Sequence, residues 1–134
     1  MSELFNRQSA QKPMRLPVLE SSSVDAKAQQ WQDCGADGFL IKPLMEDPVS
    51  GLRTWLMKVD AGAFSALHAH HEVEQIYVLE GSFYDQERTY QAGEYIVRAP
   101  SAMHTAGSKT GAVVLLFYSP SPQPDTQTFP EKQA

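Results

Sequence analysis

Residues 68–81 read HAHHEVEQIYVLEG and hold three of the chain's four histidines within four positions. His68 and His70 are two residues apart. On a strand, such a pair points to the same face, so both imidazoles can reach one ion. Glu74 follows four residues after His70. Along a straight strand it would lie roughly 13 Å away, at about 3.3 Å per residue, too far to share that ion. The chain is therefore expected to fold back through residues 71–73 as a hairpin, with Glu74 opening the return strand opposite the histidines. The fourth histidine, His104, stands further along in RAPSAMHTAG. Three neutral imidazoles and one carboxylate suit Fe²⁺, Zn²⁺, Mn²⁺, Ni²⁺ or Cu²⁺. They suit Mg²⁺ or Ca²⁺ poorly, since those ions prefer oxygen shells. His68, His70, Glu74 and His104 are thus the candidate metal ligands, for one divalent transition-metal ion per chain.

Other residues near these have weaker claims. By strand alternation His71 faces away from His70, behind the ligands or at the surface. Phe64, Trp55, Met57 and Met103 are candidates for the mouth of a pocket, where aromatic and thioether walls suit a small organic ligand, with core packing as the alternative. Arg98 could bind an anionic substrate but is expected at the surface, and Glu72 and Glu80 are expected as solvated turn charges.

The elements that must position this set are short. Strand-like runs fall at 38–45, 52–59, 64–70, 74–79, 82–85, 94–98 and 112–118. Turn signals separate them at 46–51 (EDPVSG), 60–62 (DAG), 80–82 (EGS), 91–93 (QAG) and 109–111 (KTG). Only VDAKAQQW (24–31) has helical character. The run AVVLLFY (112–118) is apolar at both alternating positions, as expected of a strand covered on both faces. This spacing predicts an all-β sandwich or barrel. Polar, proline-containing ends flank it, so the expected organisation is a flexible segment 1–22, one domain over 23–118 and a proline-rich tail 119–134. No internal repeat is evident.

At 134 residues the chain is long enough for a single core. Its net charge of −5, without a basic cluster, lacks the electrostatic footprint of nucleic-acid or anionic-membrane binding. The single cysteine, Cys34, excludes an internal disulfide and fits a reducing compartment. The opening MSELFNRQSAQKP has no apolar signal core, and the longest apolar run is too short to span a bilayer. The expected location is the cytoplasm.

The residues also carry a resemblance. Gly62, His68, His70, Glu74 and Gly81 stand at the spacing of the first cupin motif: Gly, five residues, His-x-His, three residues, Glu, six residues, Gly. The second motif is altered. Gly93 and His104 are in register, but Ala99 stands where proline is usual and Ser101 where glycine is usual. The sequence resembles a cupin, which implies a double-stranded β-helix, or jelly-roll barrel, and the same four ligands. Its texture, with Trp31, Gly38, Lys42 and Leu44 upstream, is similar to cupins of zinc-dependent anti-sigma factors. It is also similar to diketone- or acetophenone-cleaving dioxygenases. The anti-sigma factors carry a preceding helical zinc domain for which this chain has no room. The dioxygenases use three histidines without the glutamate, whereas Glu74 is present here.

What the resemblance implies is an Fe²⁺ or Zn²⁺ centre, with Mn²⁺ or Ni²⁺ as further candidates. The first functional expectation is a dioxygenase acting on a small diketone or aromatic ketone. A non-catalytic zinc module with a sensing or regulatory role is the second, and a metal-dependent isomerase or hydrolase the third. A small organic ligand and a homodimer complete the expected partners.

Overall fold

The computed structural model describes residues 12–121, in which strands are the dominant element. Nine strands follow one another: β1 (Gln32–Asp33), β2 (Phe39–Glu46), β3 (Arg53–Val59), β4 (Phe64–His68), β5 (Val73–Tyr84), β6 (Thr89–Gln91), β7 (Tyr95–Arg98), β8 (His104–Gly107) and β9 (Ala112–Ser119). The helical reading of 24–31 reduces to one 3₁₀ turn, Ala26–Ala28, capped by the Asp25 carboxylate on the Lys27 N–H. Upstream, Met14 forms an isolated bridge with Met45.

The strands pair antiparallel as a curled sheet in the order β1-β2-β3-β9-β5-β8-β4, with β6 and β7 also on β5. This is the jelly roll expected from the sequence. β5 belongs to both halves. Val73 to Gly81 pair with β9, and beyond them Ser82 to Tyr84 pair with β6. The EGS stretch therefore does not end a strand. It makes a bulge, with the register shifting between Val78 and Glu80, and Gly81 takes a φ of +72°. A bulge bends and twists its strand, which lets one strand turn the corner of a barrel.

Alternation then sorts the side chains. Along β9, Ala112, Val114, Leu116 and Tyr118 point inward and are buried, while Phe117 is 38% exposed. The expectation of burial on both faces of this run is thus met on one face only. The inward set packs with Trp55, Met57 and Val59 of β3, Ile76 and Val78 of β5, and Phe39 and Ile41 of β2. Trp55 is core, 2% exposed, and its indole N–H donates to Glu46 Oε2 at 2.6 Å. Cys34 is fully buried as well, its thiol directed at the Phe39 carbonyl.

Candidate metal centre

β4 pairs with β8 rather than with β5, and the register sets His68 directly opposite His104. The hairpin expected over 68–74 does not form. The chain leaves β4 at His68, passes His70 in the connection, and enters β5 in the other half of the barrel, against β7 and β9. The physical reason is that β4 finds its ladder partner in β8. The short link through residues 69–72, in which only His70 is buried, then carries the chain to the other half of the barrel and brings Glu74 to the histidines from the far sheet.

The imidazoles converge. Ring centroids lie 4.3 Å apart for His68 and His104, 5.1 Å for His68 and His70, and 5.5 Å for His70 and His104. One ring nitrogen from each falls within 4.8 Å of the others, so the three could hold a metal ion. Two nitrogens at about 2.1 Å from one ion can stand up to roughly 4.2 Å apart, so modest ring adjustment closes the set. The hydrogen bonds favour ligation. His68 Nδ1 stands 2.7 Å from the Ala66 carbonyl and His104 Nδ1 stands 3.2 Å from that of Ala102. A carbonyl only accepts, so each Nδ1 carries the proton and each Nε2 keeps a free lone pair for an ion. His70 Nδ1 is buried with no protein partner. Burial lowers the pKa of both His70 and His104, the latter to about 4. Both rings are therefore neutral at pH 7, the form a metal requires.

The loop before His104 keeps a left-handed turn although it lacks the usual glycine. Ser101, where glycine is usual, adopts the left-handed backbone with φ +69°. Its N–H donates to the His70 carbonyl at 2.6 Å, which ties the His104 loop to His70.

Glu74 lies beside this trio, within reach of two of its nitrogens. Its Oε1 is 3.6 Å from His104 Nε2, and its Oε2 is 4.0 Å from His70 Nε2. One of its oxygens is hydrogen-bonded, while Oε1 is buried with only an ion-pair neighbour and no hydrogen-bond donor. Tyr118 donates its hydroxyl to Oε2 at 2.8 Å, and Arg98 Nε stands 3.3 Å from Oε1. Arg98 was expected at the surface, yet its side chain is 10% exposed and bridges inward to Asp85 at 3.0 Å. On β7, residue 98 faces Glu74 across the ladder and shares its inward face. Glu72, expected as a solvated charge, pairs with Arg53 at 2.7 Å. That guanidinium in turn lies over the Tyr118 and Trp55 rings.

The histidines and Glu74 line a small cavity of about 30 Å³ whose other walls include Phe39, Met57, Ile76, Phe83 and Leu116. Of the four candidates for its mouth, Met57 lies on the wall and Trp55 in the core. Phe64 and Met103 are each 55% exposed and outside the wall, and His71 is exposed. Tyr118 is not singled out by the sequence, and Arg98 is placed by it on the wrong side of the strand. Strand alternation from Ile96, and from the even positions of 112–118, is the signal that would turn them inward.

Comparison with known proteins agrees with this architecture. KdgF from a Halomonas species shares 28% identity at a TM-score of 0.63, over 81% of this chain and 100% of its own. A candidate acetylacetone dioxygenase from Methylibium petroleiphilum has a TM-score of 0.70 at 17% identity, covering 84% and 88% of the two chains. The structure of Rhodobacter sphaeroides SigE with the anti-sigma ChrR matches at a TM-score of 0.59 and 21% identity, over 71% of this chain and 52% of that one. This chain thus spans about half of the chain matched in that complex. Curated proteins give no match. Among the described residues, no helix is long and apolar enough to cross a membrane. The family model described as the ChrR cupin-like domain matches residues 20–122, and the chain belongs to that family of cupins.

Proposed function

We propose that this protein is a metal-dependent cupin enzyme acting on a small, largely apolar organic substrate, with a diketone or aromatic ketone dioxygenase as the specific reading. His68, His70 and His104 hold the ion, and Glu74 is a fourth donor shared with Arg98 and Tyr118. The observation that carries this reading is the company Glu74 keeps: Tyr118 takes one of its oxygens and Arg98 stands at the other. A carboxylate so engaged closes a metal shell weakly, and an open position is what separates catalytic from structural sites. A bound Fe²⁺ would supply Lewis-acid polarisation and a redox partner for O₂; Zn²⁺, Mn²⁺ or Ni²⁺ would supply the first of these. The chain's own contribution is positional. The imidazoles fix the centre, and Phe39, Ile76, Phe83 and Leu116 wall it against water. Glu74 can accept a proton from an acidic C–H of a bound ketone, since it stands at the cavity wall.

The second reading, a non-catalytic zinc module, is supported by the family itself and by the presence of four donors. Oxygen uptake separates the two. Protein loaded anaerobically with Fe²⁺ should consume O₂ faster with at least one member of a 1,3-diketone and aromatic-ketone panel than without it. Uptake at the ketone-free rate across the panel, with tightly held Zn²⁺, would favour the regulatory module.

We also read the assembly as a homodimer. Tyr77, Tyr95, Val97 and Phe117 share the outer face of β5, β7 and β9, each at least 38% exposed, and form an apolar patch that a second copy would cover. Light scattering should give roughly 30 kDa, twice the 14.9 kDa chain. A monomer at micromolar concentrations contradicts it.

A further inference from the structure

Inside the barrel, beside the histidines, lies a chain of polar groups for which metal binding alone gives no reason. Asp85 begins it. Its Oδ1 accepts the N–H groups of Glu87 and Arg88 at 2.8 and 3.1 Å, and its Oδ2 accepts Tyr90 Oη and Arg98 Nη1, both at 3.0 Å. Burial alone would raise this carboxyl's pKa, but the bonds from Glu87, Arg88, Arg98 and Tyr90 outweigh that and hold it below the usual range. Arg98 continues the chain to Glu74, and Tyr118 closes it on the far oxygen. The side chains of Asp85, Arg98 and Glu74 are 2%, 10% and 6% exposed, so water screens none of the three charges appreciably.

We propose that Arg98, anchored by Asp85, is a positioning residue that competes with a bound ion for Glu74 and so sets how much of the carboxylate that ion receives. This rests on the metal-holding reading above. The reasoning is one of competition. Glu74 Oε1 stands 3.3 Å from Arg98 Nε and 3.6 Å from His104 Nε2, so the guanidinium and an ion on His104 compete for the same oxygen. Asp85 is fixed by two backbone N–H groups and so cannot follow Glu74 toward the ion. It holds Arg98 in place and keeps the competition standing. The clamp lets one ligand set act as three histidines with a loosely attached carboxylate, rather than as a closed tetrahedron of four. It also explains how Glu74 can be present in a site that keeps a position open for substrate.

Cobalt is the probe, because its visible absorbance reports coordination number and its affinity can be measured against a chelator. Wild-type protein should bind Co²⁺ with the weak absorbance of a five- or six-coordinate ion. In Arg98→Met the freed carboxylate should tighten Co²⁺ binding about 10-fold and shift the spectrum toward a four-coordinate form. Removing a positive charge near an ion tightens binding by itself, so the decisive variant is the double one. Adding Glu74→Gln to Arg98→Met should abolish both the gain and the spectral shift. Arg98→Lys retains the charge but not the two-armed reach to both carboxylates, and should show the same Glu74-dependent shift in smaller measure; it also serves if Arg98→Met does not fold. A gain that survives Glu74→Gln overturns the clamp and leaves plain electrostatics. Unchanged affinity and spectrum in folded Arg98 variants overturn the clamp alone. Wild-type protein that binds no Co²⁺ overturns the clamp and the metal reading together.

Discussion

Replacing His104 with alanine is expected to weaken divalent-metal binding by on the order of 100-fold or more while leaving the barrel folded. The size follows from the ligand count. His104 is one of three converging imidazoles, held in ladder register with His68 and oriented by the Ala102 carbonyl. Changes to groups that merely support a ligand typically cost about 10–100-fold, so loss of a ligand itself should cost at least the upper end. The fold should survive because β8 keeps its pairing with β4, and Ala106 and Gly107 keep their places in it. A second readout comes from pH. The folded-state pKa of His104 is about 4, below its ordinary 6.5, because burial penalises the charged ring. Between these values the unfolded chain binds a proton that the folded chain refuses, so stability of the metal-free protein falls as pH drops from about 6.5 to 4. The loss attributable to His104 is on the order of 3 kcal/mol at full extent. The His104→Ala variant should show a flatter stability–pH curve across that window. Chelator competition and denaturant titrations at pH 7 and pH 4.5 measure both effects. Affinity within threefold of wild type would remove His104 from the site.

Gly81→Ala should damage the fold instead, lowering stability by roughly 3–5 kcal/mol. Two independent costs meet there. The backbone is left-handed, at φ +72°, where any Cβ is strained. That Cβ would also be driven into the Gly111 carbonyl oxygen and the backbone of Ala112, which β9 pairing holds against Gly81. Backbone cannot step aside as a flexible side chain would. For a domain of this size the loss corresponds to a drop of about 10–20 °C in melting temperature. Gly93, also left-handed, has open space where a Cβ would stand, with no atom within 4 Å, and serves as the control. Its alanine variant should lose only the conformational cost, about 1–2 kcal/mol. Equal melting temperatures for the two variants would show that the bulge tolerates the added carbon and that the close approach to Gly111 costs nothing.

These two sites also mark how much of the molecule is legible in the sequence. The motif spacing names the three converging histidines and places Glu74 near them, because ligand geometry constrains residue type at fixed intervals. The route of the chain is less legible. A His-x-His followed by an acidic turn looks like a hairpin locally, and only the pairing of β4 with β8, distant in sequence, decides otherwise. β5 reads as two strands broken near Gly81, because glycine in a turn-like triplet signals a break as readily as a bulge. Strands β1, β6 and β8 do not stand out at all, since two to four residues carry too little alternation to be seen. Arg98 is hidden for a different reason. A lone arginine is usually at the surface, and nothing adjacent in sequence announces that Asp85 and Glu74 await it inside the barrel.

The most direct test of the proposed open metal centre is metal analysis of untagged protein combined with X-ray absorption at the metal edge. The expected result is close to one transition-metal ion per chain, bound by three imidazoles with light oxygen donors completing five or six positions. An ion closed by four donors would contradict the open catalytic centre. Protein that takes up none of Fe²⁺, Zn²⁺, Mn²⁺ or Ni²⁺ when each is supplied would contradict the metal site itself.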